Sequence, residues 1–169
     1  VVENSMNQYN KEIIKALENK FCEAKGFGAS KENIFIVTQE SSELGFVGKP
    51  KSVISSKVQE VLKQSKVAVI SPVGIDTNKQ KYNINADTAA CSLAKELKAR
   101  RLLLMTDVEG VYDGKKKLMN EIKQAEARNL IDNKIILGGM IPKIKNCIDA
   151  VLNGVKGIVI IDGRKTHSI

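Results

Sequence analysis

The stretch Ala90-Cys91-Ser92-Leu93-Ala94-Lys95-Glu96-Leu97-Lys98-Ala99-Arg100-Arg101-Leu102-Leu103-Leu104-Met105-Thr106 changes its period partway along. Ala90, Leu93, Ala94 and Leu97 stand at i, i+3, i+4 and i+7, which puts small and apolar side chains on one face of an alanine-rich helix. Leu102 to Thr106 is then apolar without alternation, as a strand of a parallel sheet is when both its faces are covered. A helix feeding such a strand is the repeating unit of an α/β fold.

The rhythm extends in both directions. Upstream, Val58, Val61 and Leu62 predict an amphipathic helix leading into Val67-Ala68-Val69-Ile70, a buried strand stopped by Ser71-Pro72-Val73-Gly74. Before that, Ile13, Ile14, Leu17 and Phe21 predict a helix over 10–21, with Gly26 and Gly28 as breakers. Ile34 to Thr38 predicts a short strand, and Gln39 to Pro50 a loop or hairpin. Downstream come a hairpin turn at 113–117, a helix around 121–131 and Gly138-Gly139. A helix then carries Ile141, Ile144, Ile148, Val151 and Leu152, with Pro142 in its first turn and Gly154 past its end, before a last strand over 157–161. The prediction is one α/β domain over 1–169 with a mainly parallel central sheet and no repeat or linker.

Composition excludes several classes. With 43% hydrophobic and 27% charged residues, the 169-residue chain has the makeup of a globular protein and not of a disordered one. It has neither a run of the ~20 apolar residues that a membrane span needs nor, at Val1-Val2-Glu3-Asn4, the layout of a signal peptide. A soluble chain without membrane association is expected. Cys22, Cys91 and Cys147 are scattered and odd in number, so structural thiols in a reducing compartment are expected, with no disulfide or metal scaffold. His167 has no ligand or nucleophile around it and reads as surface or structural. The net charge of +8 comes from 23 lysines and only four arginines, and aromatics are 4%. Arginine forks and stacking rings for base readout are scarce, so no nucleic-acid partner is expected, and Lys115-Lys116-Lys117 reads as a solvated turn.

In parallel sheets ligands gather beyond the carboxyl ends of strands. Asn83-x-Asn85-x-Asp87 lies there, ahead of the alanine-rich helix, and alternation in an extended run would place its two amides and one carboxylate on one face. The competing reading is capping, with Asp87 starting the helix and the asparagines forming turns. Gly138-Gly139 ahead of a helix, with Lys143 near the first turn, suits a phosphate, although an ordinary glycine loop beside an exposed lysine has the same sequence. Neither GxxxxGK[ST] nor GxGxxG is present.

Taken in order, Leu44-Gly45-Phe46-Val47-Gly48, Tyr82-Asn83-Ile84-Asn85-Ala86-Asp87-Thr88, Thr106-Asp107-Val108-Glu109-Gly110-Val111, Gly138-Gly139-Met140-Ile141-Pro142-Lys143 and Ile160-Ile161-Asp162-Gly163-Arg164 closely resemble the acetylglutamate kinase family of the amino acid kinase superfamily. The resemblance covers nearly all of the chain. It implies a three-layer αβα sandwich and phosphoryl transfer from ATP, carrying Mg²⁺, to the side-chain carboxylate of N-acetyl-L-glutamate in arginine biosynthesis. In that family the residues aligned with Asn83 and Asn85 hold the amino-acid substrate. The aspartate aligned with Asp87 organises lysines around the phosphates, and Lys143 aligns with one of those lysines. Thr106, Asp107 and Val108, with Leu137, Gly138, Gly139 and Met140, align with segments that contact ATP or ADP. No metal ligand in the protein is implied.

The resemblance further implies a cytoplasmic homo-oligomer, or a plastid one in a photosynthetic eukaryote. It also implies that the chain corresponds to the central and C-terminal part of a family sequence, lacking its N-terminal half and final helix and strand, and is inactive alone. Where the family has an apolar strand, Asn4 to Tyr9 is mostly polar. Two other functions fit the same residues: a superfamily kinase with a different acceptor, or a nucleotide-binding remnant that transfers nothing.

Overall fold

The computed structural model describes residues 2–28 and 32–166, so His167 lies outside the described residues. The chain forms two compact units, 1–97 and 98–169. Both are α/β, and parallel pairing predominates.

The first unit opens with helix α1 (Val2–Glu18) and strand β1 (Ala24–Phe27). Helix α1 begins well before the predicted Asn10 and includes Asn4 to Tyr9, so that polar segment is helical and not a strand. It also stops short of Phe21, which has a left-handed backbone and is fully exposed. The inward stripe is Asn10, Ile14 and Leu17, one helical face, and Ile13 lies off it. Gly26, read as a breaker, sits inside β1: a Cβ there would overlap the Asn10 carboxamide. The close approach of the helix, not a turn, is what requires glycine.

Strand β1 pairs in parallel with β4 (Val67–Ile70), each residue of 24–27 level with one of 67–70. Strand β4 is exposed at Val67 and half-buried elsewhere, less covered than its apolar sequence predicts. Asn10 closes the far end of this pair. Its amide donates to the Val69 carbonyl at 2.9 Å and to Ser71 Oγ at 3.2 Å, and both Asn10 and Ser71 are buried.

Gln39 to Pro50 resolves as a hairpin connection. Strand β2 (Phe35–Gln39) runs antiparallel to β3 (Gly48–Val53), with a bulge between Ile36 and Val37. Helix α2 (Ser55–Lys63) then turns Val58 and Val61 into the core. After β4 comes a hairpin that the periodicity does not predict, β5 (Val73–Ile75) against β6 (Lys81–Asn83). The strands have three residues each, too few to show alternation. The signal lies in the turn, where Asp76 Oδ1 accepts from the amides of Asn78 and Gln80, both at 2.8 Å. Strand order in this sheet is β3-β2-β5-β6. Helix α3 (Ala86–Glu96) follows, and Phe27, Ile34, Phe35, Val37, Tyr82 and Ile84 form the centre of the core.

In the second unit, β7 (Leu102–Thr106) and β8 (Ile158–Asp162) pair in parallel over their full length, Leu102 with Ile158 through Thr106 with Asp162. Leu103 and Met105 are exposed, so the apolar run has one covered face, not two. The tight turn at 113–117 is present, with Tyr112 bridged to Leu118 and Asp113 Oδ1 accepting from the Lys115 and Lys117 amides. Helices α4 (Gln124–Asp132) and α5 (Met140–Leu152) complete the unit around Val111, Ala127, Leu130, Ile136 and Ile144. The cysteines are thiols: Cys91 is buried, and Cys22 and Cys147 are half-buried.

Asn10→Ala should destabilise the first unit by about 1–3 kcal/mol, because the Val69 carbonyl and Ser71 hydroxyl lose a buried donor. Equilibrium denaturation in urea checks this, and a change below about 0.5 kcal/mol would show the amide to be dispensable.

Candidate functional site

In the first unit the site residues lie where β6 passes into α3. Asn83 ends β6 half-buried, and its backbone N–H donates to the Phe46 carbonyl at 2.9 Å. The 44–48 loop therefore docks against Asn83, joining two segments that are far apart in sequence. The Phe46 and Tyr82 rings lie 6.1 Å apart, tilted by 55°. Burial raises the Tyr82 hydroxyl above its ordinary pKa, and the Asp76 carboxylate beside it adds to this. Ile84 is buried and Asn85 exposed, so the alternation holds from 83 to 85.

At Asn85 the chain enters the helix. Asn85 is the cap, its Oδ1 accepting from the Thr88 amide at 3.1 Å and from Thr88 Oγ1 at 3.3 Å. Asp87 is thus already in the first turn, and the single extended face expected for 83, 85 and 87 stops at 85. Capping falls to Asn85 and not to Asp87. A carboxylate in the first turn sits near the positive end of the helix dipole.

In the second unit, the site residues of two loops are at the surface. Thr106 ends β7, and its hydroxyl donates to Asp107 Oδ1 at 3.2 Å. Asp107 is exposed and Val108 half-buried. Leu137, Gly138 and Gly139 are exposed ahead of α5, and Met140 is its first residue. Gly138 has φ +55, the left-handed region that a side chain would strain. Gly139 caps α5 without a side-chain bond, and no acidic residue lies in the first turn. Pro142 costs nothing there, since the early amides of a helix have no partner within it. Lys143 is half-buried one residue further on. An anion is the complement of such a helix start.

The sequence pattern assigns no role to Asp162 or Arg164. Asp162 is buried at the end of β8, and Arg164 donates to both its oxygens, Nε to Oδ1 at 2.9 Å and Nη2 to Oδ2 at 3.0 Å. The signal was an Asp-x-Arg directly after an apolar strand. A cavity of about 430 Å³ lies between α4 and α5, lined by Arg128, Ile131, Asp132, Lys145, Ile148 and Asp149 among others, and it contains none of the predicted site residues. Among the described residues no helix is long and apolar enough to cross a membrane.

Solved structures place this architecture in a known class. A protein from Streptococcus mutans superposes with a TM-score of 0.82 at 25% identity, over 92% of this chain and 64% of that one. Carbamate kinase from Giardia lamblia bound to AMP-PNP superposes at 0.74 with 18% identity, over 95% of this chain and 65% of that one, a likeness of fold alone. The chain belongs to the amino acid kinase family, whose sequence pattern it matches over residues 1–162. Within that family it is 52% identical to the acetylglutamate kinase of Pelagibacter ubique over 169 residues, all of this chain and 59% of that protein. It is 40% identical to the acetylglutamate kinase of Clostridioides difficile over 164 residues, 95% of this chain and 57% of that protein. The chain thus spans less than two thirds of the length of these relatives.

Side-chain hydrogen bonds from Arg164, then the Arg164 amide, hold the Asp162 carboxyl below its ordinary 3.8. A carboxylate whose pKa is lower folded than unfolded stabilises the fold above the unfolded value, and this is lost as pH falls through the folded one. Melting curves of the parent and Asp162→Asn should differ most at neutral pH and converge as pH falls below the ordinary aspartate value toward about pH 2. A constant gap across that range would show that Asp162 contributes nothing as an ion.

Proposed function

We propose that this chain carries the nucleotide-binding half and part of the acceptor site of an acetylglutamate kinase, which transfers a phosphoryl group from ATP to the side-chain carboxylate of N-acetyl-L-glutamate. The observation that carries this reading is the 52% identity to an acetylglutamate kinase over the whole chain. The two units work as one domain in it. Homo-oligomerisation and a cytoplasmic location belong to the same proposal, as properties of the full-length protein.

The chemistry suits the residues. A glutamate γ-carboxylate, which ordinarily titrates near ~4.3, is ionised at neutral pH and is already a nucleophile, so no general base is required. The difficulty is electrostatic, since two anions must meet and the charge spreading over the transferring group must be balanced. Lys143 and the uncapped start of α5 hold the phosphates. Thr106, Asp107 and Val108, with Leu137 to Met140, hold the nucleotide in this reading. Asn83 and Asn85 bind the acceptor, and Asp87 organises the cations. In this reading Mg²⁺ arrives on the phosphates of the nucleotide. When bound, Mg²⁺ supplies neutralisation of phosphate charge.

Asn85 has two separable tasks. Its Oδ1 caps α3, which leaves the amide group as the donor toward an acceptor carboxylate. Asn85→Asp keeps the cap and removes the donor, so in the full-length protein it should leave the melting temperature unchanged and raise the KM for N-acetylglutamate about tenfold or more while that for ATP stays near parent. Equal KM values for parent and variant would confine Asn85 to capping.

Hydroxylamine trapping of acetylglutamyl phosphate tests the activity itself. Lys143→Ala should lower kcat by about 10²–10³-fold, the scale for removing one preorganised charge stabiliser, with a smaller effect on ATP affinity. Asp87→Asn should lose rate at an unchanged melting temperature. A full-length parent that phosphorylates glutamate or aspartate but not N-acetylglutamate would reassign the acceptor, and one that phosphorylates none of them would refute the reading.

A further inference from the structure

The segment after β7 is tied down by the segment after β8 through three consecutive residues. The Gly163 amide donates to the Thr106 carbonyl at 2.9 Å, Arg164 Nη2 donates to the Asp107 carbonyl at 2.5 Å, and Lys165 Nζ pairs with the Glu109 carboxylate. This strap starts at the last rung of the parallel pair, where Thr106 is level with Asp162.

Arginine 164 is 69% exposed along its side chain, yet its guanidinium is fixed. Nε and Nη2 grip the two oxygens of buried Asp162, and the second hydrogen of Nη2 is left for the Asp107 carbonyl. The Arg164 amide also donates to Asp162 Oδ1 at 3.0 Å, so the carboxylate is engaged by three donors and the fork cannot swing away cheaply. A lysine in this place has a point charge without a planar fork and cannot reproduce the two parallel bonds to Asp162 while holding the Asp107 carbonyl in the same geometry.

We propose that Arg164, oriented by Asp162, is a positioning residue that fixes the Asp107 carbonyl and with it the path of Thr106 to Val108 against the nucleotide. This rests on the reading of Thr106 to Val108 as a nucleotide segment. Arg164 itself touches neither reactant. Its effect passes through the backbone it holds, and displacements of about 1 Å in a positioning segment suffice to impair binding and rate.

The test uses the full-length protein that contains this chain, with Arg164→Ala, Arg164→Lys and Asp162→Asn. Calorimetry with Mg·ADP gives Kd, steady-state assays give KM for ATP and for N-acetylglutamate, and melting curves report folding. Both Arg164 variants should raise the Kd for Mg·ADP and the KM for ATP about tenfold, the scale of one lost charge-assisted hydrogen bond, while the KM for N-acetylglutamate moves less than about twofold. Asp162→Asn should shift the same two quantities in the same direction. Because Arg164→Lys keeps the charge and most of the packing, it carries the test if Arg164→Ala unfolds. Parent-like nucleotide affinity in Arg164→Lys, or an equal rise in both KM values, would overturn the positioning role alone. A parent that binds no Mg·ADP would overturn the nucleotide reading and the positioning role together.

Discussion

Parallel pairing of Leu102–Thr106 with Ile158–Asp162 is the constraint from which the second unit follows. Two parallel neighbours cannot be joined by a tight turn, because the chain must return the full length of the strand before it starts the next one. Residues 107–157 make that return, and on the way they supply α4 and α5, whose Ala127, Leu130 and Ile144 form the core. The same constraint brings both strands to an end on one edge, Thr106 beside Asp162. Their following loops emerge together there, which is why a strap of consecutive contacts between them is available at all. Since α5 carries the chain back toward the start of β8, its own start lies toward that same edge.

The first unit obeys the same rule with a different closure. Strands β1 and β4 are parallel neighbours separated by a hairpin and α2, and α1 covers them through a face with a polar residue at its centre. Asn10 takes that place because the end of β4 and the residue after it leave the half-buried Val69 carbonyl and the buried Ser71 hydroxyl to accept from a donor. Satisfying them costs side-chain space, and Gly26 yields it. Hydrophobic periodicity cannot report such an arrangement, because both residues count as breaks in an apolar pattern.

Much of the fold was nevertheless legible. Strand β7 falls on the predicted residues and α3 begins just after Asn85, because a switch between helical and extended periods is a strong local signal where no strand is very short. The elements that escaped lack a periodicity of their own: β1, whose glycine answers to the distant Asn10, and β5 with β6, three residues each, whose signal lies in the Asp76 turn between them. The early start of α1 was hidden by Asn4, Ser5, Asn7 and Gln8, polar residues that say little about helix or strand. Asn83, Asn85 and the Gly138-Gly139 helix start stand out as candidates because they lie at element junctions. Of the two readings of Asp87, strand face and helix start, the structure has the second, because the helix begins sooner than alternation suggests, and the pairing of Asp162 with Arg164 has a third partner, Asp107, that is remote in sequence.

Charge supplies the last step. An edge that meets phosphates, as proposed, should not present uncompensated carboxylates, yet Asp162 ends β8 and the loop after β7 contains Asp107 and Glu109. Each is answered locally: Asp162 by the fork of Arg164, Glu109 by Lys165, and Asp107 by the Thr106 hydroxyl and by exposure to water. The start of α5, by contrast, has no acid in its first turn and has Lys143 close by. The carboxylates thus have donors close by, and in the proposed reading the positive end of the helix meets the ligand. For the proposed reaction that division matters more than any acid–base pair. In that reaction the acceptor arrives ionised and ATP arrives as an anion, so what the protein must supply is a fixed loop and a positive place, roles that the proposal gives to Arg164 and Lys143.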